Sequence, residues 1–414
     1  MICSPPAAHW SKARGELLKS MTLPQRPLRV TMVNKYYYPP HLGGVETVVR
    51  NLSEGLVELT GASVRAVVCN ESTQRLEETV KGVEVVRLPR QFALSSAPIA
   101  LSMPGFLRAQ AKLPEPPDVI NLHFPYPWGE LSWLQAHPDI PMVLSYHSDI
   151  VRQKRLLAAY KPFLEAALDR ADVITTSSPN LRDGSPFLGP RADKVRIVDY
   201  GLHVDSIAEP PAPVLSRAEA IRAEHAGRKI VLFVGRLVYY KGADVLMRAM
   251  ASVDADLVMI GLGPLEGELR EIALASGIAQ RVTWLAPTGD DELSAYYRAA
   301  DVFCLPSVAN SEAFGLVQIE AHAAGTPAIS TNLPTSVPYA NLDGVTGLTV
   351  AAGDVAALAA ALNRLLSDDE LRARLGAAAR ARALTQFTIP RMVEQMLAVY
   401  SEAIDVHAGR RGRA

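Results

Sequence analysis

Short β-branched runs alternate with longer helical segments along this chain of 414 residues, and the alternation starts twice. The first series opens with RVTMVN (29–34). A segment at about 45–59 follows, with Val45, Val48, Val49, Leu52, Leu56 and Leu59 at helical spacing. Further strands are predicted at 63–68, 83–88, 118–123, 142–147, 172–177 and 195–200, with helical sequence near 150–169. Strand–helix–strand repetition of this kind builds a parallel sheet through right-handed crossovers. The stretch 203–220 then brings three prolines and little apolar periodicity, and reads as a linker leading into a peripheral helix. The second series comprises KIVLFVG (229–235), DLVMIG (256–261), RVTWLA (281–286), DVFCLPS (301–307) and PAISTN (327–332). Helices are predicted near 241–251, 264–276, 291–299, 315–324, 354–366, 368–384 and 389–404.

The expected fold is therefore α/β: two Rossmann-like, doubly wound parallel-sheet domains facing a cleft. We expect an N-terminal tail over 1–27, a first domain over 28–206 and a second over 207–388. The helix 389–404 is expected to pack back on the first domain, with 405–414 as a tail.

Charge is balanced, with 42 basic and 43 acidic residues, so nothing singles out nucleic acid as a partner. Three cysteines without C-x-x-C spacing make neither a disulfide framework nor a zinc site. Cys69 and Cys304 lie in apolar runs and read as core. No apolar run reaches the roughly 18 residues of a membrane span, and the first twenty residues do not read as a signal peptide. The expected location is the cytoplasm.

In open α/β sheets, ligands bind beyond the carboxyl ends of the strands, so the turns there carry the candidates. After the first strand, Gly43 and Gly44 open a helix and allow close approach of an anion. After KIVLFVG, Arg236 and Lys241 flank a loop before a helix, where fixed positive charge can stabilise a diphosphate leaving group. In SEAFGLVQIEAHAAGTP, Glu312 precedes a helix start at Phe314, Gly315 and Leu316, whose N–H groups can meet a phosphate or a sugar. Glu320, further along that helix, is placed to accept from a ribose diol; Gly315 shows no packing reason in the sequence. His123 and His147 each end a strand and are candidates for hydrogen bonds to sugar hydroxyls. Arg152, Lys154, Arg155 and Lys161, interleaved with leucines, suit an anionic acceptor or a membrane surface; the competing reading is a solvated helix face. The one D-x-D, Asp254-Ala255-Asp256, starts a strand at the end away from the expected cleft and reads as a turn, so no metal is expected.

Together HLGGVE, GRLVYYKG, the GLGPL turn at 261–265 and EAFGLVQIE resemble glycosyltransferase family 4, the retaining GT-B enzymes, over roughly 29–400. The resemblance implies that Arg236 and Lys241 bind the donor diphosphate and that Gly43, Gly44 and Gly263 line the donor. It assigns Glu312 and the 314–316 N–H groups to the donor sugar and Glu320 to the ribose. His147 is similar to the family's cleft histidine beside the transferred sugar. Arg236, Lys241, Glu312 and His147 are then the catalytic set; His123, Arg152, Lys154 and Arg155 are assigned to the acceptor. The segments YHSDIVRQK, STNLPTSVPYAN and DGVTGL resemble bacterial mannosyl- and rhamnosyltransferases of surface polysaccharide synthesis. This implies a nucleotide diphosphate sugar as co-substrate, GDP-linked, with no further cofactor. It also implies a glycan or polyprenyl-diphosphate-linked glycan acceptor, and peripheral contact with the inner face of the cytoplasmic membrane. A UDP-sugar donor with another acceptor is the alternative. A nicotinamide-dependent oxidoreductase is disfavoured because no turn carries G-x-G-x-x-G. A non-catalytic sugar-binding protein would not need all four charged residues.

Overall fold

The computed structural model describes residues 26–40, 43–94, 97–150 and 154–412, with backbone only for 154–157. These residues fall into two compact units, one running from Leu202 to Thr388 and the other comprising the chain up to Gly201 together with the segment from Ile389.

In chain order the first unit contains β1 (Arg29–Val33), β2 (Ser63–Cys69), β3 (Leu76–Val80), β4 (Val83–Leu88), β5 (Phe92–Leu94), β6 (Ala97–Ile99), β7 (Val119–Phe124), β8 (Met142–Tyr146), β9 (Val173–Thr176) and β10 (Val195–Ile197). Eight of them form one sheet in the order β10-β9-β8-β7-β1-β2-β4-β3. It is parallel except at the edge, where β3 runs antiparallel to β4. β5 and β6 pair separately. Chain order reverses at β1, whose neighbours are β2 and β7. That reversal is a topological switch point, where loops diverge and leave a crevice.

The second unit contains β11 (Ile230–Val234), β12 (Asp256–Ile260), β13 (Val282–Leu285), β14 (Val302–Leu305), β15 (Ala328–Thr331) and β16 (Gly347–Val350). Its six-stranded sheet has the order β13-β12-β11-β14-β15-β16 and is parallel throughout. The switch point lies between β11 and β14. The period of two explains why IVLFV is apolar at every position. Val231 and Phe233 enter one core with helices Ala243–Ala249 and Val355–Ser367, while Ile230, Leu232 and Val234 enter another with helices Ala212–Glu224 and Asp290–Ala299.

Several elements depart from expectation. The stretch 203–220, read as a linker leading into a peripheral helix, is helical earlier than that: Val204–Ala208 precedes the expected helix, Ala212–Glu224, which buries Val214, Ala218 and Ile221. The last helix runs from Ile389 to Arg411, so residues expected as tail continue it. Arg410 reaches Asp172 at 3.0 Å and His407 reaches Asp139 at 3.1 Å, which ties this extra turn to the first unit. The same helix buries Tyr400, whose hydroxyl donates to Asn121 Oδ1 at 2.8 Å. Residues 1–25 of the expected N-terminal tail lie outside the described residues, as do His41 and Leu42 of the first glycine motif. Cys69 and Cys304 are buried, and burial raises both thiol pKa values, Cys69 to about 11. Both are core residues.

Candidate active site

The second unit's switch point gathers the charged candidates. Strand β11 ends at Val234, and Gly235 and Gly261 both take φ of 154°. A Cβ on Gly261 would stand 1.9 Å from the Gly235 carbonyl oxygen, and one on Gly263 would stand 2.2 Å from that of Leu237. The loops after β11 and β12 are therefore in backbone contact, joined by the Leu237 N–H to the Leu262 carbonyl at 2.9 Å. Gly263 has this packing role whatever ligand binds. Gly242, with φ of 65°, lies against the Pro306 carbonyl oxygen, which a Cβ would approach to 2.0 Å. This contact brings the loops after β11 and β14 together.

That closeness sets the geometry of Lys241 and Glu312. Lys241 Nζ lies 2.5 Å from Glu312 Oε2, with both side chains nearly buried. Ser307 Oγ donates to the same carboxylate oxygen at 3.2 Å. The sequence suggested two groups each reaching a ligand; the structure makes them an ion pair with one oxygen held twice. Ser307 was missed, although it ends the DVFCLPS run. Arg236 is exposed, and its guanidinium pairs with no carboxylate among the described residues. The site thus offers one uncommitted cation and one cation already neutralised.

The helix Leu316–Ala323 follows, capped by Gly315 at φ of 76°. Contrary to the sequence reading, Gly315 has a packing reason: a Cβ there would meet Leu305 at 2.4 Å and Gln318 at 2.7 Å. Phe314 is buried edge-on against Phe387 with ring centroids 5.9 Å apart. Leu316 opens the helix, and in its first turn the Gln318 N–H donates to the Gly315 carbonyl at 2.9 Å. Glu320 Oε2 accepts from the Tyr297 hydroxyl at 2.7 Å, and desolvation raises the carboxyl's pKa against that bond. Tyr297 was not anticipated; it lies in the YY pair of the preceding helix. Asp254 and Asp256 sit at the start of β12, where Arg228 reaches them at 2.8 and 2.7 Å and His225 reaches Asp256 at 2.8 Å.

The first unit's switch point is of another kind. Gly43 has φ of −122°, which any residue adopts, and Gly44 begins helix Gly44–Thr60. A Cβ on Gly43 would meet only the flexible Glu46 carboxylate, at 2.5 Å. The loop leading to this helix is held by buried Arg87, which donates to the Tyr37 carbonyl at 3.0 Å and the Pro39 carbonyl at 2.5 Å. His123 lies in β7 and His147 just after β8. Parallel pairing sets His123 opposite Ser145, and the rings stack with centroids 5.2 Å apart. His123 Nδ1 is 3.0 Å from His147 Nε2, and His147 Nδ1 is 2.6 Å from the Tyr200 hydroxyl. Both histidines are buried, and desolvation lowers both pKa values, His147 to about 4. The rings are neutral at pH 7. Both nitrogens of His147 are thus within hydrogen-bond distance of a neighbour in the first unit.

Of the basic acceptor candidates, Arg152 lies outside the described residues. Lys154 and Arg155 open helix Lys154–Arg170, with only their backbone described. Lys161 is exposed and lies 3.7 Å from Glu165, an ordinary solvated helix pair. No helix among the described residues is long and apolar enough to cross a membrane.

Two α/β units, each built on a parallel sheet with a chain-order reversal, are the GT-B architecture. The sucrose-phosphate synthase of Thermosynechococcus elongatus superposes with a TM-score of 0.75 at 24% identity, covering 91% of this chain and 99% of that one. WaaG, a glycosyltransferase involved in lipopolysaccharide biosynthesis, does so with a TM-score of 0.66 at 19% identity, over 89% and 99%. Residues 217–382 match the model described as Glycosyl transferases group 1, and residues 42–206 that of Glycosyltransferase Family 4. The chain is 30% identical over 378 residues to the O-antigen chain mannosyltransferase C of Escherichia coli, spanning 91% of this chain and 99% of that protein. It is 32% identical over 361 residues to the D-rhamnosyltransferase WbpZ of Pseudomonas aeruginosa, spanning 87% and 92%. The chain belongs to glycosyltransferase family 4.

Proposed function

We propose that this glycosyltransferase moves a mannosyl or rhamnosyl group from a GDP-linked sugar to a glycan or polyprenyl-diphosphate-linked glycan, with retention of configuration and without a metal. The observation that carries this reading is the Lys241–Glu312 pair at the second unit's switch point, with exposed Arg236 in the loop that leads to Lys241. Arg236 meets the diphosphate first. The diphosphate then competes with Glu312 for Lys241, and the freed carboxylate accepts from the sugar hydroxyls. Both cations stabilise charge that develops on the leaving phosphate. Glu320, held by Tyr297, takes the ribose diol. His123 and His147 are assigned to the reacting sugar. In a front-face displacement the departing phosphate oxygen removes the acceptor's proton, so no side-chain base is required.

The preference for GDP-mannose or GDP-rhamnose rests on the likeness to the mannosyl- and rhamnosyltransferases above, as does the assignment to surface polysaccharide synthesis at the inner membrane face. Nucleotide release from GDP-mannose, GDP-rhamnose and UDP-glucose by the purified chain, with a lipid-linked glycan acceptor, tests it. GDP release that depends on acceptor is expected; release from UDP-glucose alone would overturn the donor assignment. Carbon-13 NMR of the product reads retention or inversion.

A further inference from the structure

Glu312 Oε2 is held by two donors of unlike kind. Lys241 Nζ lies 2.5 Å from it, and the Ser307 hydroxyl donates to it at 3.2 Å. The two donors are anchored differently. Ser307 is fully buried, and its own carbonyl accepts from the Thr331 hydroxyl at 2.6 Å, which ties it to the end of β15. Lys241 has a flexible stem that lies along Gly235, where a Cβ would stand 3.6 Å from Nζ. Among the described residues it pairs with no other carboxylate. One donor is fixed and the other can leave.

The Glu312 side chain is only 9% exposed, so its charge is costly wherever it lacks a full set of partners. A neutral hydroxyl alone does not replace an ammonium. Two ligands differ in what they offer this pair. A nucleotide diphosphate sugar brings phosphate oxygens to Lys241 and sugar hydroxyls to Glu312. A bare nucleotide diphosphate, which is what remains after transfer, takes Lys241 and gives Glu312 nothing in return.

We propose that Glu312 is a specificity-determining residue that favours the nucleotide sugar over the nucleotide diphosphate and so drives product release, and that Ser307 is the positioning residue that holds the carboxylate while Lys241 exchanges between it and phosphate. This rests on the glycosyltransferase reading and adds a step after chemistry. Once the sugar has gone to the acceptor, its hydroxyls no longer satisfy Glu312. Lys241 then returns to the carboxylate, and the diphosphate loses one of its two cations, keeping only exposed Arg236.

Calorimetric titration of GDP and GDP-mannose, without acceptor, into the full chain, Glu312→Gln, Ser307→Ala and the double variant tests the exchange. Glu312→Gln keeps the shape and removes the competing charge. It should bind GDP about ten-fold tighter, the scale of one charge-assisted contact, and its preference for GDP-mannose over GDP should fall by at least that factor. In turnover, the inhibition constant for GDP should fall relative to the donor KM. Unchanged or weaker GDP binding in Glu312→Gln would overturn the proposal. Ser307→Ala should weaken GDP about ten-fold, because Glu312 then has no partner once Lys241 leaves. In the Glu312→Gln background the same change should have no effect, since no charge is stranded. Equal losses in both backgrounds would reduce Ser307 to a support of the loop and overturn its positioning role. Should Ser307→Ala not fold, the Glu312→Gln arm decides alone. UDP and UDP-glucose run in parallel. A chain that binds these and not the GDP pair contradicts the donor assignment, and the same ratio is then read on UDP.

Discussion

The two switch points share one topology and differ in chemistry. In the second unit the crevice holds formal charge near the surface: exposed Arg236 and the nearly buried Lys241–Glu312 pair. In the first unit the corresponding place holds two neutral, buried rings linked to each other, with Tyr200 on the far side of His147. A parallel sheet dictates where its loops diverge, not what they carry. The contrast is between formal charge in the second unit and neutral, buried rings in the first.

The largest effect expected from that division is at Lys241. Lys241→Ala removes leaving-group stabilisation and strands a buried carboxylate, so turnover should fall on the order of 100-fold or more. Steady-state kinetics check it, and near-normal turnover would remove the charged crevice from the mechanism. The next effect belongs to the neutral side. His123 and His147 are held below the unfolded value of about 6.5, His147 to about 4. The folded state therefore binds fewer protons than the unfolded one. Their contribution is fully present above about pH 6.5 and is lost as pH falls towards 4, on the order of 3 kcal/mol for His147. Buried Glu130, raised to about 7, acts oppositely: it weakens the fold as pH rises between its unfolded value and 7. Urea midpoints of wild type and His147→Gln against pH isolate the histidine's part, and the variant should show a flatter acidic limb.

Smaller again is a contrast among glycines. Gly263→Ala forces a Cβ against the Leu237 carbonyl and should cost about 2 kcal/mol, read as a lowered melting temperature. Gly43→Ala displaces only the Glu46 side chain and should leave stability nearly unchanged. A substrate defect in a stable Gly43→Ala would mark that backbone as ligand-facing. The smallest expected change is with chelator: EDTA should leave the rate unaltered, and a loss restored by Mg²⁺ would show that the cations do not suffice.

Much of this was legible in the sequence because a parallel strand buried on both faces leaves a continuous apolar run, and the candidates stand where those runs stop. IVLFV and VFCL announced β11 and β14, and with them the positions of Arg236, Lys241 and Glu312. Elements lacking that signature were missed. β3, LEETV, is an exposed antiparallel edge strand with two glutamates, and β16, GLTV, is a short edge strand beginning with glycine. Pairings were not legible either. Lys241 meets Glu312 because Gly242 fits against the Pro306 carbonyl, and His123 meets His147 because β7 and β8 pair in one register. Both are set by backbone approach between segments distant in sequence. Gly315 misled for the same reason, since its neighbour Leu305 belongs to the strand beneath it.

Calorimetric titration of GDP into the full chain and into Arg236→Ala and His147→Gln tests the division between the switch points most directly. Removing the exposed cation should weaken GDP binding by roughly ten-fold or more, as loss of a charge-assisted contact does. Removing the neutral ring should leave GDP affinity unchanged, since the nucleotide without its sugar makes no contact there. Weakened GDP binding in His147→Gln with full affinity in Arg236→Ala would contradict the account.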